Sequence, residues 1–231
     1  MTKQINKIAI VLPVIDAGAK RHKRLIRCLA SYYEMTEGLS DIHVLHDANE
    51  CHIYHPILEQ YPEINNYCIP TGISLMEKIN LHALEIANKY KYIGFIGDDI
   101  VFKTPFESKI INYLSEHSHA MAFGNDLIWN GKLPTHPFMT SKTVMAVGFF
   151  GCPAVEHNFF DNYWEMVFDG LQTKKYIPDI VMEHMHSMVG KEKNDYLANV
   201  IADKLQLDKI KFINYINRHL EIDLEKIRSY E

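Results

Sequence analysis

The sequence is sparing with cysteine, proline, glycine and tryptophan: 4, 9, 11 and 2 residues among 231. The four cysteines (Cys28, Cys51, Cys68 and Cys152) form no Cys-x-x-Cys pair, so they are read as reduced thiols of a cytosolic protein. Glycine and proline are too few for a linker-rich or collagen-like chain, and no repeat is visible. No apolar run approaches the roughly 18 residues of a membrane span. The apolar stretch near the N-terminus, Ile8 to Ile15, is broken by Pro13. It lacks the longer apolar core and small-residue cleavage site of a signal peptide. Positive charge is also short, with 24 Lys and Arg against 29 Asp and Glu, a net −5. That argues against a general basic coat for nucleic acid and leaves room only for a local patch.

What remains is a chain with 47% hydrophobic residues, long enough to bury a core without staples. It is expected to be one large domain, or one domain with a small appendage. The apolar run Ile8 to Leu12 predicts a buried strand, and Arg24 to Tyr33 a helix. Ile42 to Asn49 reads as a second strand ending in a polar turn. Ser74 to Tyr90 reads as a helix whose start carries the Ser-x-x-Glu capping pattern, Ser74 with Glu77. Tyr92 to Ile96 is a buried strand that delivers Gly97, Asp98 and Asp99. Glu107 to Ser115 suggests another helix, and His119 to Gly124 another strand. Alternating strands and helices predict an α/β sheet, largely parallel over the first 125 residues. From Leu205 onward, Ile213, Ile216, Leu220, Leu224 and Ile227 recur at helical spacing. That tail is expected to dock on the domain or to pair with a second subunit.

Several residue groups suit chemistry. Asp98 and Asp99 follow a buried strand, where open α/β sheets bind ligands. Adjacent acids there repel unless a cation relieves them, and a hard divalent ion with oxygen ligands would do so. The alternative is a turn with Asp98 capping and Asp99 solvated. His184 and His186 lie two residues apart and, in extended backbone, share a face that a metal could use; they also read as surface histidines. Asp161 lies in the aromatic run from His157 to Trp164, a setting that raises a carboxyl pKa and suits a general base, although a helix cap is an equal reading. The basic run Lys20 to Arg24 could attract a diphosphate or a nucleic acid, or start a solvated helix. Asp47, at the end of the second strand, could accept a hydrogen bond from a nucleobase or form a turn.

Taken together, the segments GFIGDDIVFKTP, AFGNDLIWNGKLPTHPFMTS, EHNFFDNYW and KYIPDIVMEHMHSMVGK resemble glycosyltransferases of the GT-A type. They are most similar to the small glycosyltransferases common in bacteriophage genomes. The resemblance covers Gly94 to Tyr196, nearly half of the chain. It implies a nucleotide-sugar-binding sheet flanked by helices, in a catalytic domain over residues 1–204 followed by a terminal helix over 205–231. Within the domain, 1–125 would be the nucleotide-binding part and 126–204 the part that completes the metal and acceptor sides. The resemblance further implies that Asp99, completed by His186 or else His184, binds Mn²⁺ or Mg²⁺, with Asp98 on the donor ribose or metal. It makes Asp161 the base of an inverting transfer and Asp47 the acid that reads the donor base. Lys78 and Asn80 would line the donor site, and Asp126 and Trp129 would stand on the acceptor side. Relatives often carry two acids where this chain has Asn125 and Asp126, so its acceptor need not be theirs; the candidates are a hydroxylated base in DNA, a glycan, a lipid-linked sugar or a protein. A nucleotidyltransferase, a metal-dependent hydrolase and a non-catalytic binding module are the competing readings. The first of these would normally carry a Gly-rich phosphate loop, and only Gly18 is available after the first strand.

Overall fold

The computed structural model describes residues 4–16, 18–186, 190–191 and 196–230. Residues 187–189 and 192–195, within the last stretch of the resemblance, lie outside the described residues. Eight strands form one sheet in the order β3-β2-β1-β4-β7-β6-β8-β5. They are β1 (Ile5–Pro13), β2 (Ser40–Asp47), β3 (Asn65–Ile69), β4 (Tyr90–Phe95), β5 (Ile100–Phe102), β6 (Met121–Asn125), β7 (Phe138–Thr140) and β8 (Lys174–His184). The helices are α1 (Ala19–Met35), α2 (Cys51–Leu58), α3 (Leu75–Lys89), α4 (Glu107–Ser115), α5 (Ser141–Val147), α6 (Phe160–Leu171) and α7 (Tyr196–Ser229).

Alternation along β1 explains the layering. Ala9 and Val11 face one core, with Ile79 and Ala83 of α3, Val144 of α5, Trp164 of α6 and Phe212 of α7. Ile8, Ile10 and Leu12 face the other, with Leu25 and Leu29 of α1, Tyr54 of α2 and Ile110 of α4. A period of two on a strand buried on both faces yields the continuous apolar run seen in the sequence. The predicted capping box at Ser74 and Glu77 is formed in both directions.

The expectation of a largely parallel sheet holds for β1 to β4, and beyond them the pairing is mixed, with β6 parallel to β8. β1 pairs in parallel with β2 and β4, and β2 with β3. β7 then runs antiparallel between β4 and β6, and β5 runs antiparallel to β8. The insertion of β7 requires a glycine. Gly94 pairs with Phe138 across β4 and β7, and a Cβ at Gly94 would lie 2.3 Å from the Phe138 ring.

The tail helix begins at Tyr196, nine residues before the predicted start, and it docks on the domain. Phe212, Leu224 and Ile227 are buried in the core, whereas Ile213 is 43% exposed. Two buried carboxylates tie α7 down. Asp208 accepts from the backbone N–H groups of Glu156, His157 and Asn158. Asp223 accepts from the hydroxyls of Tyr163 and Tyr215. Among the described residues, no helix is long and apolar enough to cross a membrane.

Candidate active site

In the order β3-β2-β1-β4, successive strands depart to opposite sides of β1. The crevice beyond the carboxyl ends of β1 and β4 is therefore the topological switch point where open α/β sheets take ligands. Gly97, Asp98 and Asp99 leave β4 at this point, and β5 begins immediately after them.

The two acids have different surroundings. Asp98 is buried and receives the Arg21 guanidinium, with Nη1 at 3.1 Å from Oδ1 and 3.3 Å from Oδ2. Burial pushes its carboxyl up to about 6, even though Arg21 opposes the shift. Arg21 belongs to the basic run that the sequence offers to a diphosphate, a nucleic acid or solvent. Its side chain instead turns inward, because a buried carboxylate requires a counter-charge. Arg24 of the same run is also buried.

Asp99 faces the end of β8. Its Oδ2 lies 3.4 Å from His184 Nε2, and its backbone oxygen accepts from the Met185 N–H at 2.9 Å. His184 N–H donates to the Asp126 carbonyl at 3.0 Å, so three segments are joined at one point. The His186 ring packs edge-on to His184, with centroids 5.0 Å apart. β8 ends at His184, so His186 lies two residues past the strand. Burial alone would push the Asp99 carboxyl up. The adjacent His184 ring, backed by His136 and His186, outweighs this and holds it well below the usual carboxylate range.

His136, which sequence reading missed, stands behind this group. It is buried, packs edge-on to His184 at 4.9 Å, and neither ring nitrogen has a hydrogen-bond partner. Burial lowers its pKa to about 3, so the ring stays neutral. The only signal for it in the sequence was its place in the quoted AFGNDLIWNGKLPTHPFMTS segment.

The other predicted residues occupy distinct places. Asp47 and Lys78 are both buried and form an ion pair with each other at the end of β2. Asn80 is committed to the backbone: its Oδ1 accepts from Phe150 and Gly151 N–H, and its Nδ2 donates to the Gly151 carbonyl. It borders a groove of about 780 Å³ with Ser74, Pro153 and Lys204, a groove that none of the Asp99 group lines. Asp126 accepts from Ile128 and Trp129 N–H and from the Thr135 hydroxyl, which folds the loop after β6. Trp129 stands 40% exposed on that loop. Asp161 lies in the first turn of α6, after Phe159 in a left-handed conformation, and its Oδ1 accepts from the Asn162 N–H. It does not cap the helix, because Phe159 holds that position. Burial pushes the Asp161 carboxyl up to about 6.

The four cysteines, read from the sequence as reduced thiols, fall into two groups. Cys28 and Cys152 are free and buried, but Cys51 and Cys68 meet sulfur to sulfur with their Cα atoms 6.6 Å apart. Their sequence separation of 17 hides a contact made by neighbouring elements, α2 and β3.

The sequence matches no family model and no curated protein. Solved structures do match the fold. S. aureus TarS residues 1–349 in complex with UDP superposes with a TM-score of 0.58 at 9% identity, over 76% of this chain and 59% of that one. The same fragment with UDP-GlcNAc gives 0.55 at 13% identity, over 78% and 61%. The chain thus spans about three-fifths of the length of these TarS structures. It shares the fold of these TarS structures.

Proposed function

We propose that this protein is a GT-A type glycosyltransferase that moves a sugar from a nucleotide diphosphate sugar to an acceptor hydroxyl with inversion. The observation that carries this reading is the convergence of Asp99, His184 and His186 beside Asp98 at the switch point of the sheet. TarS, which shares the fold, has been solved with UDP and with UDP-GlcNAc, which supports a donor of that chemistry.

The residues fit a divalent cation. Asp99 offers an ionised carboxylate, His184 Nδ1 is buried with no hydrogen-bond partner, and His186 adjoins it. Asp99, His186 and His184 would hold Mn²⁺ or Mg²⁺, and the set is sparse enough to leave positions for diphosphate oxygens and water. When bound, the ion neutralises charge that develops on the leaving diphosphate.

The chain's own groups supply the rest. Asp47 and Lys78 place a buried acceptor and donor at the end of β2, where a nucleobase would be read. Arg21 keeps Asp98 oriented toward the crevice. Asp161, with its pKa near 6, is largely ionised at neutral pH yet poorly solvated, as a base for an attacking hydroxyl should be. Deprotonation of the acceptor and attack opposite the leaving diphosphate invert the anomeric carbon. The exposed Trp129 indole offers an apolar face for an acceptor sugar or base.

The inward turn of Arg21 and Arg24 takes two of the five residues of the basic run from the surface, where a DNA backbone would need them. We therefore favour a glycan, lipid-linked or protein acceptor over a hydroxylated DNA base. Thermal-shift screening of nucleotide sugars with and without Mn²⁺ tests the donor, since a ligand that binds the native state raises Tm by mass action. NMR of the product then reads the anomeric configuration. Retention of configuration, or no stabilisation by any nucleotide sugar, sinks the proposal.

A further inference from the structure

A second group of metal-ligating side chains stands apart from the Asp99 group. The liganding atoms of His46, Cys51, His55 and Cys68 all lie within 4.8 Å of one another. The topology brings them together. His46 on β2 and Cys68 on β3 are direct partners in the parallel register. Cys51 and His55 lie four residues apart on α2, hence on one face of that helix. The Cys68 sulfur is 3.7 Å from His55 Nε2 and 4.0 Å from His46 Nε2, and it touches the Cys51 sulfur.

We propose that these four residues form a structural Cys₂His₂ zinc site. The donor set is the mixture of two thiolates and two imidazoles that a closed, tetrahedral zinc site takes. Zinc bonds of about 2.0–2.3 Å place neighbouring ligands roughly 3.3–3.8 Å apart, close to the sulfur–nitrogen spacings found here. The Cα separation of 6.6 Å between Cys51 and Cys68 lies at the wide end of the disulfide range, roughly 4.4–6.8 Å. Zinc ligation requires the two sulfurs, in contact here, to part as separate thiolates.

His46 is already oriented for the role. Its Nδ1 lies 3.1 Å from the Asp47 carbonyl, and with the proton held there Nε2 is the nitrogen left to ligate zinc. Nε2 also lies 2.7 Å from Asn66 Oδ1, a contact that zinc ligation would replace. The His46 ring is further fixed by stacking on the buried Tyr54, with centroids 5.2 Å apart.

The local fold has need of such a tie. α2 has eight residues, contains Pro56, and no side chain caps its start. A helix this short does not stand on its own propensity. β3 is an edge strand with alternate residues exposed. Zinc would lock both onto the carboxyl end of β2, next to Asp47. The site uses neither Asp99 nor the proposed transfer reaction, so the two readings stand or fall separately.

The test is metal analysis of the full chain, expressed in a reducing cytosol and purified without a metal-affinity column. The expected result is one zinc per chain, lost in the Cys51→Ser and Cys68→Ser variants and kept in Asp99→Asn. Replacement by Co²⁺ should give thiolate-to-cobalt charge-transfer bands and intense tetrahedral d–d bands. If the cysteine variants do not fold, the wild-type protein still decides. A thiol reagent should release zinc in step with modification of two thiols that alkylation does not reach in the native protein. Metal-free protein, or mass spectrometry showing a Cys51–Cys68 disulfide under these conditions, overturns the proposal. Zinc retained by the double cysteine variant does so as well.

Discussion

Replacing Asp161 with Asn should slow sugar transfer and stabilise the protein at once. Burial raises this carboxyl from 3.8 to about 6. That difference corresponds to about 3 kcal/mol of disfavoured charge at neutral pH, as an upper bound. The sign follows from proton binding. Between pH 4 and 6 the native state holds the proton more tightly than the unfolded chain does. The associated stability is therefore full below pH 4 and is lost as pH rises through 6. Asn carries no charge and keeps an oxygen that can accept from the Asn162 N–H. Asp161→Asn should thus raise Tm at pH 7.5, by about 2–4 °C for each kcal/mol recovered, and leave it unchanged at pH 4. Transfer should fall by about 10²–10⁴ with the general base removed. In the wild type, a base with a pKa near 6 is about nine-tenths ionised at pH 7 and one-tenth at pH 5, so the rate should fall roughly tenfold between them. The assays are calorimetry at the two pH values and a product-release pH profile with saturating donor. A variant that transfers within threefold of wild type, or a wild-type profile flat from pH 5 to 7, refutes Asp161 as the base. A Tm gain of equal size at both pH values refutes the charge-burial argument.

Other expectations can be checked alongside it. Asp99→Asn should reduce metal-stimulated donor turnover by about 10²–10³, comparable to the loss of one preorganised electrostatic contact, and a fully active variant would move the cation elsewhere. Arg21→Ala should cost about 3–5 kcal/mol in urea unfolding by leaving Asp98 buried without its guanidinium; an unchanged midpoint would mean that Asp98 is solvated. Glu107→Ala should cost at least about 3 kcal/mol, because the buried carboxylate accepts from the Thr36 and Ser40 hydroxyls and from Glu37 and Leu39 N–H. Gly94→Val should give little folded protein, since its side chain meets the buried Phe138 ring, and a Tm near wild type would mean that β7 is free to shift.

Much of the α/β framework was legible locally. The runs at Ile8 and Tyr92, the capping box at Ser74 and the helix from Glu107 to Ser115 depend on nearest neighbours and a single periodicity. They were placed within a few residues. β5 and β7, each of three residues, were not found, since strands that short carry no period. β3 and α2 were missed as well, because Pro56 and a polar, edge-strand pattern interrupt their signals.

The candidate site divides in the same way. By itself the sequence determined that Asp98 and Asp99 close a buried strand, and the order of the later segments pointed to His184, His186 and Asp161. Only the tertiary structure decided which groups face each other. It turned Arg21 from a surface charge into the partner of Asp98 and committed Asn80 to the Phe150–Gly151 backbone. It set the buried His136 behind His184 and brought Cys51 to Cys68. The reason is physical. Strand and helix periods are set by the backbone within a few residues. The partner of a buried charge or sulfur is set by which segments the sheet order places side by side, and that order is fixed by packing across the whole chain.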